Sequence, residues 1–306
     1  MFEPGLKPIS ATTRYCAVFG HPIRHSASPA MQNTGIAGLG LNWRYLAFDV
    51  EPSQLRAAIQ GAQAMKFIGL NLTVPHKILA MDMVDELDQS ARHWGAVNTI
   101  VFEGRTKDGE WKRLRELEPD AIEATRSVGF NTDADAIARS IEEDLKLKLA
   151  GAKVLLLGVG GAGRVAALKL AECGVGEMHL VNRTMQKAED VSVEIRQRCP
   201  EVTVRIGYPA SGVDLILNGT SLGLKPDDPM PMDLNQFFLA QARCVYDMIY
   251  RPPETPLLRA ARKAGCRVAN GFGMLLYQGA RALELWSGET APVDLMRQAL
   301  EKHIYA

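Results

Sequence analysis

The chain has 306 residues, more than one hydrophobic core usually holds, so two domains are expected. Hydrophobic residues make up 47%, and 35 Lys+Arg balance 35 Asp+Glu, so nothing global draws the chain to nucleic acid or to an anionic membrane surface. The five cysteines are scattered with no CxxC, and the six histidines show no HExxH, which argues against a disulfide frame or a metal site and for reduced thiols in a cytoplasm. No uncharged apolar run reaches the roughly 20 residues of a membrane span, and the opening MFEPGLKPIS lacks a signal-peptide pattern.

Short apolar runs alternate with amphipathic stretches along most of the chain. In the first part YCAVFG, WRYLAFDV, FIGLNLTV and AVNTIVFE read as strands, with SQLRAAIQGAQA as a helix among them. The third run ends in Asn71-Leu-Thr-Val-Pro-His-Lys77, which places an asparagine, a threonine and a lysine where a buried strand runs into a turn. From Glu103 to Gly129 the rhythm breaks into a segment dense in both signs of charge. Its KDGE is a hairpin-turn signal, and WKRLRELE and DAIEATR read as short helices split by Pro119. The segment is expected to be a solvated surface extension, with a flap or partner-binding arm as the alternative. The stretch GFNTD closes the first part, and the main seam falls near residue 135.

The second part continues with VLLLGV, EMHLVN, VTVRIG, VDLILN and CVYDMIY as strands, and with helical stretches such as TPLLRAARKAGC. At the end, GMLLYQGARALELWSG and APVDLMRQALEKHI read as two helices with no strand between them. Strand–helix alternation with doubly apolar strands predicts α/β layers and mostly parallel sheets.

The chemistry starts to show at Gly158-Val-Gly160-Gly-Ala-Gly163, between the strand Val154–Leu157 and an Ala/Leu-rich helix. A GxGxxG in that context is a dinucleotide-binding signal and predicts a Rossmann unit. Gly158 permits the tight turn, Gly160 lets backbone approach a pyrophosphate, and Gly163 lets helix and strand pack. The helix start offers unpaired N–H groups to an anion. No Lys-Ser/Thr follows the glycines, which excludes a triphosphate-binding loop. About 20 residues on, where an NAD site carries an acid, stand Asn182, Arg183 and Thr184, with Lys187 close behind. No carboxylate is there to repel a 2′-phosphate, and Arg183 can meet one while stacking on adenine, so NADP is the expected cofactor.

An NADP domain implies hydride transfer, and that needs a proton donor or acceptor at the reacting carbonyl or alcohol. Lys77 lies just past a strand end, at the edge where α/β sheets bind ligands. Two further polar strand ends are AVNTI, with Asn98, and GFNTD, with Asp133. Lys77 and Asp133 can form a pair in which the carboxylate holds the ammonium. Each also has a plainer reading, Lys77 as a helix-face lysine and Asp133 as the cap of ADAIARS.

Several ordered motifs then resemble those of the shikimate/quinate dehydrogenases, over nearly the whole chain. VFGHPIRHSASPAMQN is similar to that family's opening G-x-P-x-x-H-S-x-S-P-x-x-H-N, NLTVPHK to its N-x-T-x-P-x-K, and GAVNTI and GFNTD to its A-x-N-T and G-x-N-T-D. GVGGAGR, NRT, NGTSLG, YDMIY and GMLLYQGARALELWSG resemble the later motifs. The resemblance implies NADPH-dependent, reversible reduction of 3-dehydroshikimate to shikimate. By it, Lys77 is the acid/base and Asp133 its partner. Ser26 and Ser28 bind the substrate carboxylate, and Asn71, Thr73, Asn98, Tyr250 and Gln278 its hydroxyls. Gly158, Val159, Gly160, Gly161 and Ala162 hold the pyrophosphate, while Asn182, Arg183, Thr184 and Lys187 hold the 2′-phosphate. Thr220, Met248 and Gly271 lie near the nicotinamide. It also implies a discontinuous substrate-binding catalytic domain, 1–135 with 274–306, around an NADP-binding domain of 136–273, in a cytoplasmic monomer or homodimer.

Three departures stand out. Gln32 replaces the family's usual His, Ala134 follows NTD where Gly is common, and residues 103–129 fill a usually brief connection. A quinate or aminoshikimate dehydrogenase, a non-catalytic ligand sensor and a folate-type dehydrogenase are the alternatives. Retention of both Lys77 and Asp133 speaks against the sensor, and the two serines speak against the folate enzyme.

Overall fold

A computed structural model describes residues 6–225 and 227–305. The chain divides into two compact units, Met1–Thr132 with Leu276–Ala306, and Asp133–Leu275.

The first unit holds β1 (Arg14–Gly20), α1 (Ser28–Gly38), β2 (Trp43–Asp49), α2 (Leu55–Ala64), β3 (Gly69–Leu72), α3 (His76–Leu79), β4 (Glu86–Leu87), α4 (Gln89–Trp94), β5 (Thr99–Arg105), β6 (Trp111–Arg113) and β7 (Ala124–Phe130). Among the described residues its sheet runs β2-β1-β3-β5-β7-β4, with β6 paired to β5. The strands β2, β1 and β3 are parallel, but β5 is antiparallel to both β3 and β7. The sheet is therefore mixed, where a mostly parallel one was expected. The β5–β6 hairpin adds a further antiparallel pair, since so short a connection joins only antiparallel strands.

That hairpin also corrects the reading of the charged extension. WKRLRELE opens as strand β6 and continues as a single 3-10 turn, Leu114–Glu116. The end of DAIEATR is strand β7, not helix. Its charges pair across strands instead of along a helix face. Arg126 lies 4.4 Å over the Trp111 ring and forms ion pairs with Glu103 at 2.7 Å and Glu86 at 2.5 Å. Thr106 donates its N–H to the Glu110 carbonyl across the KDGE turn, where Gly109 takes φ +83°.

The second unit holds α5 (Asp133–Leu145), β8 (Lys153–Leu157), α6 (Gly161–Glu172), β9 (Glu177–Val181), α7 (Met185–Arg198), β10 (Thr203–Ile206), β11 (Val213–Asn218), β12 (Ala242–Asp247), α8 (Pro256–Lys263) and β13 (Arg267–Asn270). Its sheet is parallel throughout, in the order β10-β9-β8-β11-β12-β13. Counted from β8 this is the doubly wound order 3-2-1-4-5-6, and the direction of winding reverses between β8 and β11. Leu155, Leu157, Ile216, Val245, Phe237 and Leu257 form a buried cluster against this sheet.

Helix α9 (Phe272–Ser287) begins in the second unit and runs into the first, where α10 (Val293–Tyr305) follows. The Trp286 indole, fully buried, donates to the Ile100 carbonyl at 3.0 Å. A Cβ at Gly69 would sit 2.0 Å from the indole nitrogen, so the glycine makes room for the helix. Gly35 of α1 does the same for Leu283 and Met296. The C-terminal helices thus return to pack on the N-terminal sheet and α1.

Candidate active site

In the first unit, the polar strand ends singled out from the sequence are joined by one buried hydrogen-bond network. Tyr45 of β2 donates its hydroxyl to Asn71 Oδ1 at 2.7 Å. Asn71 Nδ2 reaches Thr99 Oγ1 at 3.1 Å and the Asn98 carbonyl at 3.3 Å. Asn98 Nδ2 donates to Thr132 Oγ1 at 2.9 Å, and Asn98 Oδ1 accepts from the Thr132 N–H at 2.8 Å. The Thr132 hydroxyl continues to the Gln278 carbonyl at 3.1 Å. All of these side chains are buried, Asn71 and Asn98 almost completely. Burial also pushes the Tyr45 phenol well above its ordinary range, so it remains a neutral donor.

Ser28 begins α1, and its hydroxyl faces the same phenol. The Ser26 hydroxyl accepts from the Ser28 N–H at 3.3 Å. Neither serine caps α1 in the usual way: the cap position is Ala27, and no side chain bonds there. Two small hydroxyls at the start of an 11-residue helix can hold an anion, helped by the helix dipole. Gln32, in place of the family's His, is buried and donates to the Gly279 carbonyl at 2.9 Å, next to Gln278.

Thr73 follows β3 directly, and its N–H donates to the Phe19 carbonyl at 3.0 Å. Lys77 follows one turn later in α3, half-buried, and its carbonyl accepts from the Val97 N–H at 2.8 Å, one residue before Asn98. This bond ties the lysine's backbone to the strand end that carries Asn98. Asp133 is the first residue of α5, buried, and follows Thr132 in the chain. By contacts Asp133 and Tyr250 fall in the second unit, while Ser26, Ser28, Asn71, Thr73, Lys77, Asn98 and Gln278 fall in the first.

In the second unit every expected cofactor residue lies at or just past the C-terminal end of a parallel strand or at the α7 start, the edge where doubly wound sheets bind ligands. Gly158 takes φ +84°, and a Cβ there would lie 2.4 Å from Thr220 Cγ2. A Cβ at Gly163 would lie 2.0 Å from the Gly158 carbonyl oxygen, so only glycine permits α6 to approach the turn. A Cβ at Gly160 would meet nothing within 4 Å, and Gly160, Gly161 and Ala162 are exposed at the α6 start. The loop is closed on its protein side and open on the other, which fits a dinucleotide pyrophosphate.

Asn182 braces this loop. Its Oδ1 accepts from the Val159 N–H at 3.0 Å, and its Nδ2 donates to the Thr184 carbonyl at 2.8 Å. Arg183, Thr184 and Lys187 are exposed, and Thr184 occupies the α7 cap position without a capping side-chain bond. Among the described residues neither Arg183 nor Lys187 has an acidic partner, whereas Arg164, nearer the glycines, is held by Glu194 at 2.6 Å.

Beyond β11 and β12 lies a second buried network that the sequence reading missed. Asp247, fully buried, accepts from Asn218 Nδ2 at 3.0 Å, the Ile249 N–H at 3.1 Å and the Thr255 hydroxyl at 2.6 Å. Asn218 Oδ1 in turn accepts from the Thr220 hydroxyl at 2.7 Å. The network fixes the turns bearing Thr220 and Met248. Gly271 packs against Met248, since a Cβ there would lie 2.0 Å from the Met248 carbonyl oxygen. Burial raises the Asp247 carboxyl above its usual value, opposed by its bonds from Thr255, Ile249 and Asn218. Tyr45, Thr99, Thr132, Asn218 and Asp247 carry no chemical signature of their own in sequence. Thr99, Thr132, Asn218 and Asp247 stand within GAVNTI, GFNTD, NGTSLG and YDMIY, and only those motifs pointed toward them; Tyr45 stands in none.

Comparison with known proteins finds relatives of both units. Residues 18–100 match the family described as shikimate dehydrogenase substrate binding domain, 137–206 that described as shikimate / quinate 5-dehydrogenase, and 271–301 the shikimate 5′-dehydrogenase C-terminal domain. A shikimate dehydrogenase (NADP(+)) of Methanopyrus kandleri is 39% identical over 97% of this chain and 98% of its own. A crystal structure of a shikimate dehydrogenase in complex with NADP+ is 34% identical, with a TM-score of 0.83 over 99% of this chain and 100% of that one. The ligand-free 5-ketofructose reductase of Gluconobacter sp. strain CHM43 is 31% identical, with a TM-score of 0.77 over 96% of this chain and 99% of that one. With both units matched and near-complete coverage, the chain belongs to the shikimate dehydrogenase family.

Proposed function

We propose that this protein is an NADP-dependent shikimate dehydrogenase, interconverting 3-dehydroshikimate and shikimate. The observation that carries the reading is the buried network that gathers Asn71, Asn98 and the Gln278 backbone on the unit that also bears Lys77 and Ser28. The choice of NADP is supported by Arg183 and Lys187, exposed and without acidic partners among the described residues. The name of the Methanopyrus kandleri relative points the same way.

When bound, the nicotinamide supplies a hydride to the substrate carbonyl carbon or takes one back from the alcohol. The protein's part is proton transfer and positioning. Lys77 donates its proton to the carbonyl oxygen in reduction and takes one from the hydroxyl in oxidation. Asp133 orients the ammonium. Ser26 and Ser28 donate hydroxyl hydrogen bonds to the carboxylate at the α1 start. Asn71, Thr73, Asn98, Tyr250 and Gln278 bind the ring hydroxyls and fix which carbon presents its hydrogen. Gly158 to Ala162 receive the pyrophosphate; Arg183, Thr184 and Lys187 receive the 2′-phosphate, with Asn182 bracing both. Thr220, Met248 and Gly271 border the nicotinamide. A small-molecule reaction and five free cysteines suit the cytoplasm, with the protein as a monomer or homodimer.

Quinate is the second reading, because the description matched by residues 137–206 names both acids. A four-way assay separates them: shikimate or quinate with NADP+ or NAD+, followed at the nicotinamide absorbance. The highest kcat/KM is expected for shikimate with NADP+. A higher value with quinate would transfer the assignment to the second reading, and no turnover with either acid would end both.

A further inference from the structure

Tyr45 carries no motif and is absent from the residues that the family resemblance assigns, yet it occupies the centre of the first unit's polar network. Its side chain is fully buried. Its backbone is clamped to α1 in both directions: the N–H donates to Asn33 Oδ1 at 2.9 Å, and the carbonyl accepts from Asn33 Nδ2 at 2.9 Å. Its ring packs on Trp286 with centroids 6.0 Å apart. A phenol held this rigidly has one hydroxyl proton, and that proton goes to Asn71 Oδ1 at 2.7 Å.

We propose that Tyr45 is a positioning residue that sets substrate affinity by fixing the Asn71 amide. An asparagine amide can turn over and exchange its donor and acceptor ends. The Asn98 carbonyl can only accept, so Nδ2 faces it and Thr99, and Tyr45 gives its proton to Oδ1 and holds that end in place. Thr99 holds the opposite end at 3.1 Å, so the two hydroxyls grip one amide from two strands. The Ser28 side chain lies beside the same phenol. A ring hydroxyl is then read by an amide set in place by a residue that does not touch the substrate. The inference rests on the shikimate reading, since it assumes Asn71 meets a ring hydroxyl.

The test is steady-state kinetics of Tyr45→Phe, which removes one oxygen and keeps the ring. Leaving a buried acceptor without its donor typically weakens an interaction by a factor of roughly five to one hundred. KM for shikimate should rise by about that factor, while KM for NADP+ stays within about twofold and kcat within about threefold. A merely structural role would lower the active fraction, and hence kcat, without separating the two KM values. Thr99→Val releases the other end of the amide and should reproduce the split; it decides the matter if Tyr45→Phe does not fold. An unchanged KM for shikimate, or equal rises in both KM values, overturns the inference. Failure of the wild-type protein to oxidise shikimate at all would instead overturn the shikimate reading, so the two failures are distinguishable.

Discussion

On the proposed reading, Asn71 and Asn98 in one unit, and Arg183 and Lys187 in the other, solve the same problem in opposite ways. The asparagines are buried, and their amides are already bonded to neighbouring strands. The cations are exposed, and neither has an acidic partner among the described residues. On the proposed reading the uncharged ring hydroxyls must be recognised by hydrogen-bond geometry, and geometry requires side chains that do not move. A phosphate dianion is recognised mainly by charge, and flexible exposed cations suffice for it. The price of the first solution is that recognition and folding share residues; in the second they are separable.

Asn98→Ala should show this sharing most strongly. It removes the acceptor of the Thr132 N–H and the donor to the Thr132 hydroxyl, both buried. A loss of about 2–4 kcal/mol in unfolding free energy is expected, together with at least a hundredfold fall in kcat/KM for shikimate. Denaturant unfolding and kinetics on the same preparation check it. A loss of activity with full stability would mean that the network does not support the fold. Arg183→Ala should leave stability unchanged and raise KM for NADP+ by roughly ten- to one-hundredfold, with NAD+ kinetics little altered. Equal effects on both cofactors would mean that Arg183 does not read the 2′-phosphate.

Asp247→Asn sharpens the comparison from within the second unit, where a buried network of the asparagine type supports the cofactor edge. The variant should lose about 1–3 kcal/mol, because its amide puts an NH2 group where the carboxyl presents an oxygen to Thr255 or to Asn218 and the Ile249 N–H. Burial raises the folded-state value of this carboxyl above the ordinary 3.8. The folded protein therefore binds the proton more tightly than the unfolded chain. The contribution of Asp247 is greatest below 3.8 and declines as pH rises through the raised value. The stability gap between wild type and variant should narrow across that interval in a pH series of denaturant melts. A gap that widens with pH would contradict the assignment.

Much of this was legible in the residues. Apolar runs marked the central strands because both faces of β1, β8 and β11 are covered. The glycine loop announced its conformation because Gly158 and Gly163 stand where a side chain has no room. Network partners were not legible: Tyr45 meets Asn71 across 26 positions, and Asn218 meets Asp247 across 29, with no periodicity to connect them. The charged extension was misread for a related reason. Arg126 finds Trp111 and Glu86 only after strands pair, and before pairing its neighbours read as helix. The bracing by Asn182 was not legible either: its amide accepts from the Val159 N–H of the glycine loop and donates to the Thr184 carbonyl.

The most direct test is turnover of shikimate with NADP+ by Lys77→Met, with binding of both ligands measured on the same protein. The account predicts that kcat falls by roughly 10²–10⁴, the range for loss of a general acid/base, while both ligands still bind. Turnover close to that of the wild-type protein would contradict it, because the proton would then travel by another group and Lys77 would have no part in the chemistry.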